Sequence, residues 1–161
     1  MDNQYIVTDV GVAAFRLSNL ISVKIGRLIE RIGYRAFDRC YNLVKFEFED
    51  NSNFQIDIGA FLYYTNVQKV TFPNTLKVIG PYFSENVSEI HYYGTHYITC
   101  EQDFTRDISI YVLNNFPSET FCGKPITRIN EIPQIMIKSC YNYLFLADNI
   151  NIFSIPFLYI K

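Results

Sequence analysis

The sequence predicts a solenoid, an α/β fold that is mostly β, with parallel strand ladders, short helical turns and about four to five stacked coils. Three observations support this prediction. Large apolar residues recur at a fixed spacing, apolar and polar residues alternate within each copy, and turn-forming residues separate the copies. Because a single copy cannot bury its apolar face alone, the copies must stack. The 161 residues are enough for one such domain.

The clearest repeat lies between residues 32 and 72. Its apolar residues return 24 positions later in the same order. Looser or shorter copies flank it, so we place repeats near residues 8–30, 31–54, 55–78 and 78–94, and a closing coil at 95–129. The residues that recur are Ile32, Phe37, Leu43, Phe46 and Phe48, and their counterparts are Ile56, Phe61, Val67, Val70 and Phe72.

Each copy divides into a strand and a turn. Apolar residues at alternate positions in 43–48, 67–72 and 87–92 predict a strand that is buried on one side. Ala36, Phe37 and Cys40 stand at offsets of three and four, which favours one short helical turn. Pro73-Asn74 predicts a turn, and a second short extended piece then ends at Gly80.

The two chain ends carry weaker signals. The first ten residues hold no apolar run of signal length, and no run of 18 apolar residues occurs anywhere, so we expect neither an export signal nor a membrane span. Residues 130–161 are apolar without a clear copy of the repeat. They either cap the open end of the solenoid or form a degenerate tail.

Composition and spacing exclude several classes of function. The formal charge is −2 and the basic residues are scattered, which excludes a nucleic-acid footprint. The two histidines, His91 and His96, do not belong to any known catalytic motif. His96 and Cys100, four residues apart, are the one pair that could form a nucleophile dyad. We therefore predict no enzyme, no metal and no cofactor. The cysteines show no CxxC pairing, so we expect isolated, mostly buried thiols at Cys40, Cys100, Cys122 and Cys140.

Two segments resemble the BspA-like leucine-rich repeats, a family of surface proteins of bacteria and parasitic protists. IGYRAFDRCYNLVKFEF (32–48) and FPNTLKVIG (72–80) follow the family's pattern of I-G-x-x-A-F-x-x-C-x-x-L with a following P-x-x-x-x-x-I-G. The third copy departs from it, with Asp57 in place of the glycine. The resemblance covers about residues 10–129. It implies a leucine-rich-repeat solenoid that acts in surface recognition or adhesion and takes a protein or a glycan as its ligand.

The outward side chains of the predicted strands form the candidate binding face. They should line up across the coils, because side chains on one side of neighbouring parallel strands form rows. The function we predict is noncatalytic protein binding; the alternatives are an intracellular scaffold, a truncated family member, or strand residues that are merely solvated. The resemblance implies the cell surface, whereas the missing signal implies the cytoplasm, and oligomeric state is left open. One row holds Ser22, Lys45, Lys69 and Glu89, and the next holds Lys24, Glu47, Thr71 and His91, with Tyr93 at its end.

Overall fold

Two walls of short parallel strands enclose an apolar core over about five turns of a solenoid. The computed structural model describes residues 6–49, 55–56, 63–81, 83, 85–132 and 159–160. The narrow-wall strands have two residues each, and the broad-wall strands have three to five. The predicted α/β solenoid is confirmed as a parallel-strand β-solenoid.

The broad wall carries the strands that the apolar alternation predicted. The strands β2 and β4 pair in parallel over four residues, and β6, β8, β10 and β13 form a second sheet in the order β13-β10-β8-β6. The rings of Phe48 and Phe72, 6.1 Å apart, join the two sheets at β4 and β6. The bounds are Ser22–Ile25 (β2), Lys45–Phe48 (β4), Lys69–Phe72 (β6), Glu89–Tyr92 (β8), Ser109–Leu113 (β10) and Thr127–Ile129 (β13).

The narrow wall contains the short extended pieces, including the one expected before Gly80. Its parallel pairs run β1-β3-β5 and β7-β9. Val10 pairs with Ile32, and Ile32 pairs with Ile56, which is the register that the repeat predicted. The bounds are Asp9–Val10 (β1), Arg31–Ile32 (β3), Gln55–Ile56 (β5), Val78–Ile79 (β7) and Thr99–Cys100 (β9).

Residues 12–17 and 34–39 form turns in place of the helical turn that we expected. Ala13, Phe15 and Leu17 donate their backbone N–H groups to carbonyl oxygens of the next coil, at N···O distances of 2.8–2.9 Å. Ala13 and Leu17 have φ of 53° and 62°, in the left-handed region. This conformation turns alternate N–H groups outward to the neighbouring coil, whereas a helix would use them internally.

Gly33 stands at a close approach of two coils. Its N–H donates to the carbonyl of Val10 at 2.8 Å, and a Cβ atom at this position would lie 2.8 Å from the backbone nitrogen of Val12. A side chain would therefore push the coils apart, which explains the glycine of the repeat pattern.

The core is a continuous series of aromatic rings that crosses the coils. Near its start, the ring centroid of Phe37 lies 5.2 Å from Phe15 and 5.3 Å from Phe46. The series continues through Phe48, Phe72, Phe83 and Phe104 to the last coil. Phe15 is only half-buried because it belongs to the first coil and has a neighbour on one side. The recurring apolar positions are buried as predicted, notably Ile32, Phe37, Leu43, Phe46, Val67, Val70, Phe72, Ile90 and Tyr92.

An asparagine occupies the same position in successive coils, just before a core residue of the broad wall. The Asn66 side-chain amide donates to the carbonyl of Tyr41 at 2.6 Å, and that of Asn86 donates to the carbonyl of Thr65. Each amide thus bonds the backbone that precedes the asparagine of the coil before it. This ladder satisfies backbone carbonyls at the corner where the chain enters the strand.

The last coil is closed by a hairpin and one arginine. The hairpin pairs Thr120–Phe121 (β11) with Lys124–Pro125 (β12), and Phe121 packs against Tyr92 with ring centroids 5.8 Å apart. Arg128 donates to the carbonyls of Asn114, Phe116 and Ser118 at 2.8–3.0 Å. Its guanidinium also contacts the Glu119 carboxylate at 2.7 Å. A single planar group therefore holds the loop that ends the solenoid.

The expectation of four isolated thiols is wrong for two of them. Cys100 and Cys122 form a disulfide, with Cα atoms 5.4 Å apart, that ties β9 to the hairpin. Their separation of 22 residues is close to one coil, so stacking brings them together. Cys40 remains a buried free thiol, as expected.

At the other end of the broad wall, Tyr159–Ile160 (β14) pairs with β2 in the antiparallel sense. The core position predicted at Phe61 and the tail 133–158 lie outside the described residues. The boundaries that we drew at 129 and 130 stay predictions. The described part of the chain contains no helix that is long and apolar enough to cross a membrane.

Candidate functional site

The register of the broad wall pairs eight of the nine predicted residues across neighbouring strands, and Tyr93 directly follows β8. Ser22 on β2 lies opposite Lys45 on β4, and Lys69 on β6 lies opposite Glu89 on β8. In the second row the register joins Lys24 to Glu47 and Thr71 to His91. These predicted neighbours are therefore register pairs within each of the two sheets, and whether the rows bind a partner stays a prediction.

The half of this face near the first coils is charged but balanced. Lys45 contacts Glu47 at 3.0 Å, and Lys69 contacts Glu89 at 2.5 Å. Lys24 reaches Glu49 of the next coil at 3.6 Å. Exposed pairs of this kind contribute little to folding, about 0–1 kcal/mol each. These three lysines and three glutamates give this part of the face no dominant sign of charge.

The other half is organised around His91. Its Nε2 lies 2.5 Å from Glu89 Oε1, and its Nδ1 lies 2.8 Å from the Tyr93 hydroxyl. The ring stacks on Tyr111 with centroids 4.8 Å apart and planes 21° from parallel. His91 was predicted to face solvent, yet its exposed fraction is only 9% because these three neighbours cover it.

Two pKa shifts follow from this arrangement. Hydrogen bonds from Lys69 first and His91 second hold the pKa of Glu89 below its usual value, so the carboxylate is charged at neutral pH. Burial raises the pKa of Tyr93, and the nearby Glu89 charge raises it further, so its hydroxyl keeps its proton. In the neutral imidazole, Nε2–H donates to Glu89 and Nδ1 accepts the proton of the Tyr93 hydroxyl.

Apolar side chains extend this cluster towards the last strand. Leu113 follows Tyr111 by two residues on β10 and is paired in register with Ile129 of β13. Both side chains are half-buried. Val112, which precedes Leu113 on β10, points into the core, so Leu113 and its register partner Ile129 lie on the outward side of the wall. We call His91, Tyr93, Tyr111, Leu113 and Ile129 the C-terminal patch.

The sequence did not reveal most of this patch. The predicted rows stopped at Tyr93, although Ile108, Ile110 and Val112 alternate in the sequence as the buried side of a strand does. Extending the rows by one coil would have placed Tyr111 beside His91. The register of β8 and β10 places Glu89 opposite Ser109, and this pairing sets Tyr111 opposite His91.

The candidate dyad of His96 and Cys100 is wrong. The sulfur of Cys100 is bonded to Cys122, so it is no free nucleophile. His96 Nε2 lies 2.8 Å from the carbonyl oxygen of Leu76 and 3.1 Å from the Tyr92 hydroxyl, and it thus links two coils. Over the described residues, no group of three or more histidine, cysteine or acidic side chains could hold a metal ion.

A cavity of about 270 Å³ lies beside the aromatic core. Phe83, Phe104 and Ile108 form its apolar floor, and Glu85 and Arg106 stand at its rim. Arg106 is already engaged, because it donates to the backbone carbonyl of Glu85.

Comparison with known families supports the repeat. The model of the BspA type Leucine rich repeat region matches residues 3–99 in six copies, which is more than half of the chain. No curated protein and no solved structure matches the chain.

Proposed function

Because this chain belongs to the BspA-type leucine-rich repeat family, we propose that it is a noncatalytic recognition module that binds a partner protein across its broad wall. Repeats of this family suggest a protein-interaction module in general. The finer proposal is that the C-terminal patch forms the centre of the contact and that the charged rows form its rim.

The composition of the patch supports this role. Energetically dominant positions at protein interfaces are enriched in aromatic residues that stand in partly desolvated surroundings, with polar residues around them. Tyr111 and Tyr93 are rings of this kind, and the His91 contacts hold them in place before any partner arrives. A pre-ordered surface loses less side-chain entropy on binding. This ordered aromatic cluster beside balanced charges is the observation that carries the proposal.

We further propose that the chain acts outside the cell, in surface recognition or adhesion. The Cys100–Cys122 disulfide supports this proposal, because disulfides persist in oxidising compartments and are rare in the cytosol. The alternative, an intracellular scaffold, predicts that both thiols are reduced. Alkylation of the native chain before any reductant is added, followed by mass spectrometry, separates the two. If the chain is labelled at the cell surface and Cys100 is disulfide-bonded to Cys122, the result supports export. If the chain is protected from the surface label and both thiols are alkylated, the result supports the scaffold.

Affinity capture tests the patch. The full chain is immobilised and exposed to an extract of cell-surface and matrix proteins, beside a variant carrying Tyr111→Ala and Leu113→Ala. A matched control carries Tyr34→Ala and Leu28→Ala, which remove the same residue types from exposed positions away from the wall. Proteins that are retained by the wild type and the control, and lost from the patch variant, support the proposal. Equal retention by all three chains contradicts it.

The charged rows are tested separately. Lys45→Glu with Lys69→Glu reverses two exposed charges on the wall and substitutes none of the five patch residues, and Lys45→Glu alone does so without altering the Lys69–Glu89 contact beside His91. If the rows form the rim, the affinity for a captured partner falls by about tenfold, mainly through slower association. Arg31→Glu with Lys77→Glu reverses two exposed charges at the narrow wall and should leave the affinity unchanged. If the ligand is instead a glycan, the alternative partner, the wild-type chain should bind to a glycan array and the patch variant should not.

A further inference from the structure

At the edge of β2 the broad wall meets a strand from a distant part of the sequence. On one side, all four residues of β2 pair in parallel with β4. On the other side, Val23 pairs with Ile160 and Lys24 pairs with Tyr159 in the antiparallel sense. The antiparallel register therefore covers two of the four residues of β2.

This edge is built to accept a strand. Natural sheets often protect an edge with proline or with a charged side chain that stands over it. The β2 sequence, SVKI, contains no proline, and the Lys24 ammonium is directed to Glu49 of the next coil at 3.6 Å. Val23 and Ile25 are buried in the core, so the strand is held firmly in place. The backbone of β2 is thus presented to an incoming strand.

The strand that occupies the edge belongs to the opposite end of the solenoid. The last strand of the wall, β13, stands five strand positions from β2, which is about 24 Å at the usual spacing of 4.8 Å. The chain continues from the β13 end, and 26 residues separate Ile132 from Tyr159. They span at most about 90 Å, so the strand can reach its own β2 or that of a neighbouring copy. A copy stacked end to end would present its β2 edge directly beside the point from which the tail departs.

We propose that the β2 edge is a strand-acceptor site and that its partner is β14 of a second copy of this chain, exchanged head to tail when chains are crowded. The contacts are the same within one chain and between two chains, so concentration decides between them. Exchange of this kind is heterologous and extends copies into a ring or a filament. The proposal is independent of ligand binding by the C-terminal patch.

Cysteine crosslinking tests the exchange with full-length chains. One chain carries Lys24→Cys and another carries Tyr159→Cys, which are register partners in the antiparallel pair. Mixed and oxidised, these two chains can form the mixed disulfide only if β14 of one pairs with β2 of the other. A mass tag on one chain identifies the mixed product. The doubly substituted chain reports the pairing within one molecule.

In the doubly substituted chain, the ratio of interchain to intrachain product should rise about tenfold for each tenfold rise in concentration. A control mixture with Lys45→Cys in place of Lys24→Cys puts the thiol one strand farther from β14, beyond the reach of a disulfide. Tyr159→Cys alone measures the background from native thiols. Mixed product above both controls supports the exchange. Intrachain product without mixed product at the highest concentration overturns it, as does the absence of any specific crosslink.

Discussion

Removal of the Cys100–Cys122 disulfide should destabilise the last coil. The bond ties β9 to the hairpin, whose Phe121 packs against Tyr92 in the core. Replacing both cysteines by alanine avoids leaving either of these two as an unpaired thiol. We expect the loss to begin in the hairpin and the loop before it, because the earlier coils keep their own stacking.

The magnitude follows from the length of the loop that the bond closes. The two cysteines are 22 residues apart. Closing a loop of this size lowers the conformational entropy of the unfolded chain, which stabilises the folded state by about 3.4 kcal/mol at 25 °C. We therefore expect the variant Cys100→Ala with Cys122→Ala to unfold with a free energy lower by about 3 kcal/mol. Reduced wild-type chain should lose a similar amount.

Urea unfolding followed by circular dichroism measures the change, and amide hydrogen exchange locates it. Exchange should accelerate most in residues 104–122 and least in β4 and β6. Cys40→Ala serves as the control, since Cys40 is a free buried thiol and its effect should be the same with and without reductant. If reductant and the double substitution both leave the unfolding midpoint unchanged, the disulfide does not hold the last coil.

Three further predictions concern the core, the closing arginine and acid. Phe37→Ala should lower the free energy of unfolding by about 3–5 kcal/mol in the same urea assay, because the ring is fully buried between coils; a loss below about 1 kcal/mol would contradict the stacked core. Arg128→Lys should cost about 2 kcal/mol and accelerate exchange in 114–119, since an ammonium cannot reproduce the planar fork; wild-type exchange there would refute the clamp. The pKa of Glu89 is lowered in the folded chain, so its stabilising effect is present above the ordinary carboxyl pKa and is lost as pH falls through the folded value. Glu89→Gln should therefore flatten the fall in melting temperature below about pH 4.5, and an unchanged acid profile would exclude this carboxylate as a contributor.

The buried side of the fold could be predicted from the sequence because burial imposes a strict pattern. Ile32 and Phe37 recur at the coil length, and only apolar side chains can fill the stacked positions. The strand register followed from the same offsets, so the outward rows could be placed as well. The turns at 34–39 could not be recognised, since Ala36, Phe37 and Cys40 have helical spacing while Arg35 and Arg39 adopt positive φ.

The surface and the last coil were harder to predict because their contacts join unlike residues. The disulfide was overlooked because its cysteines were compared with metal motifs rather than with the coil length. Arg128 donates mainly to backbone carbonyls, and every residue has one, so the sequence does not indicate which residues it contacts. His91 looked solvated because Tyr111 belongs to a coil where the repeat is weak. The same weakness concealed the C-terminal patch.

Hydroxyl-radical footprinting of the chain with a captured partner tests the proposed binding surface most directly. The method reports side-chain exposure without mutation, and the patch and other walls both carry reactive aromatic residues. We predict that Tyr111 and Leu113 lose reactivity in the complex while exposed Tyr34 and Tyr41 keep theirs. Protection of Tyr34 and Tyr41, with Tyr111 and Leu113 unchanged, would contradict recognition through the broad wall.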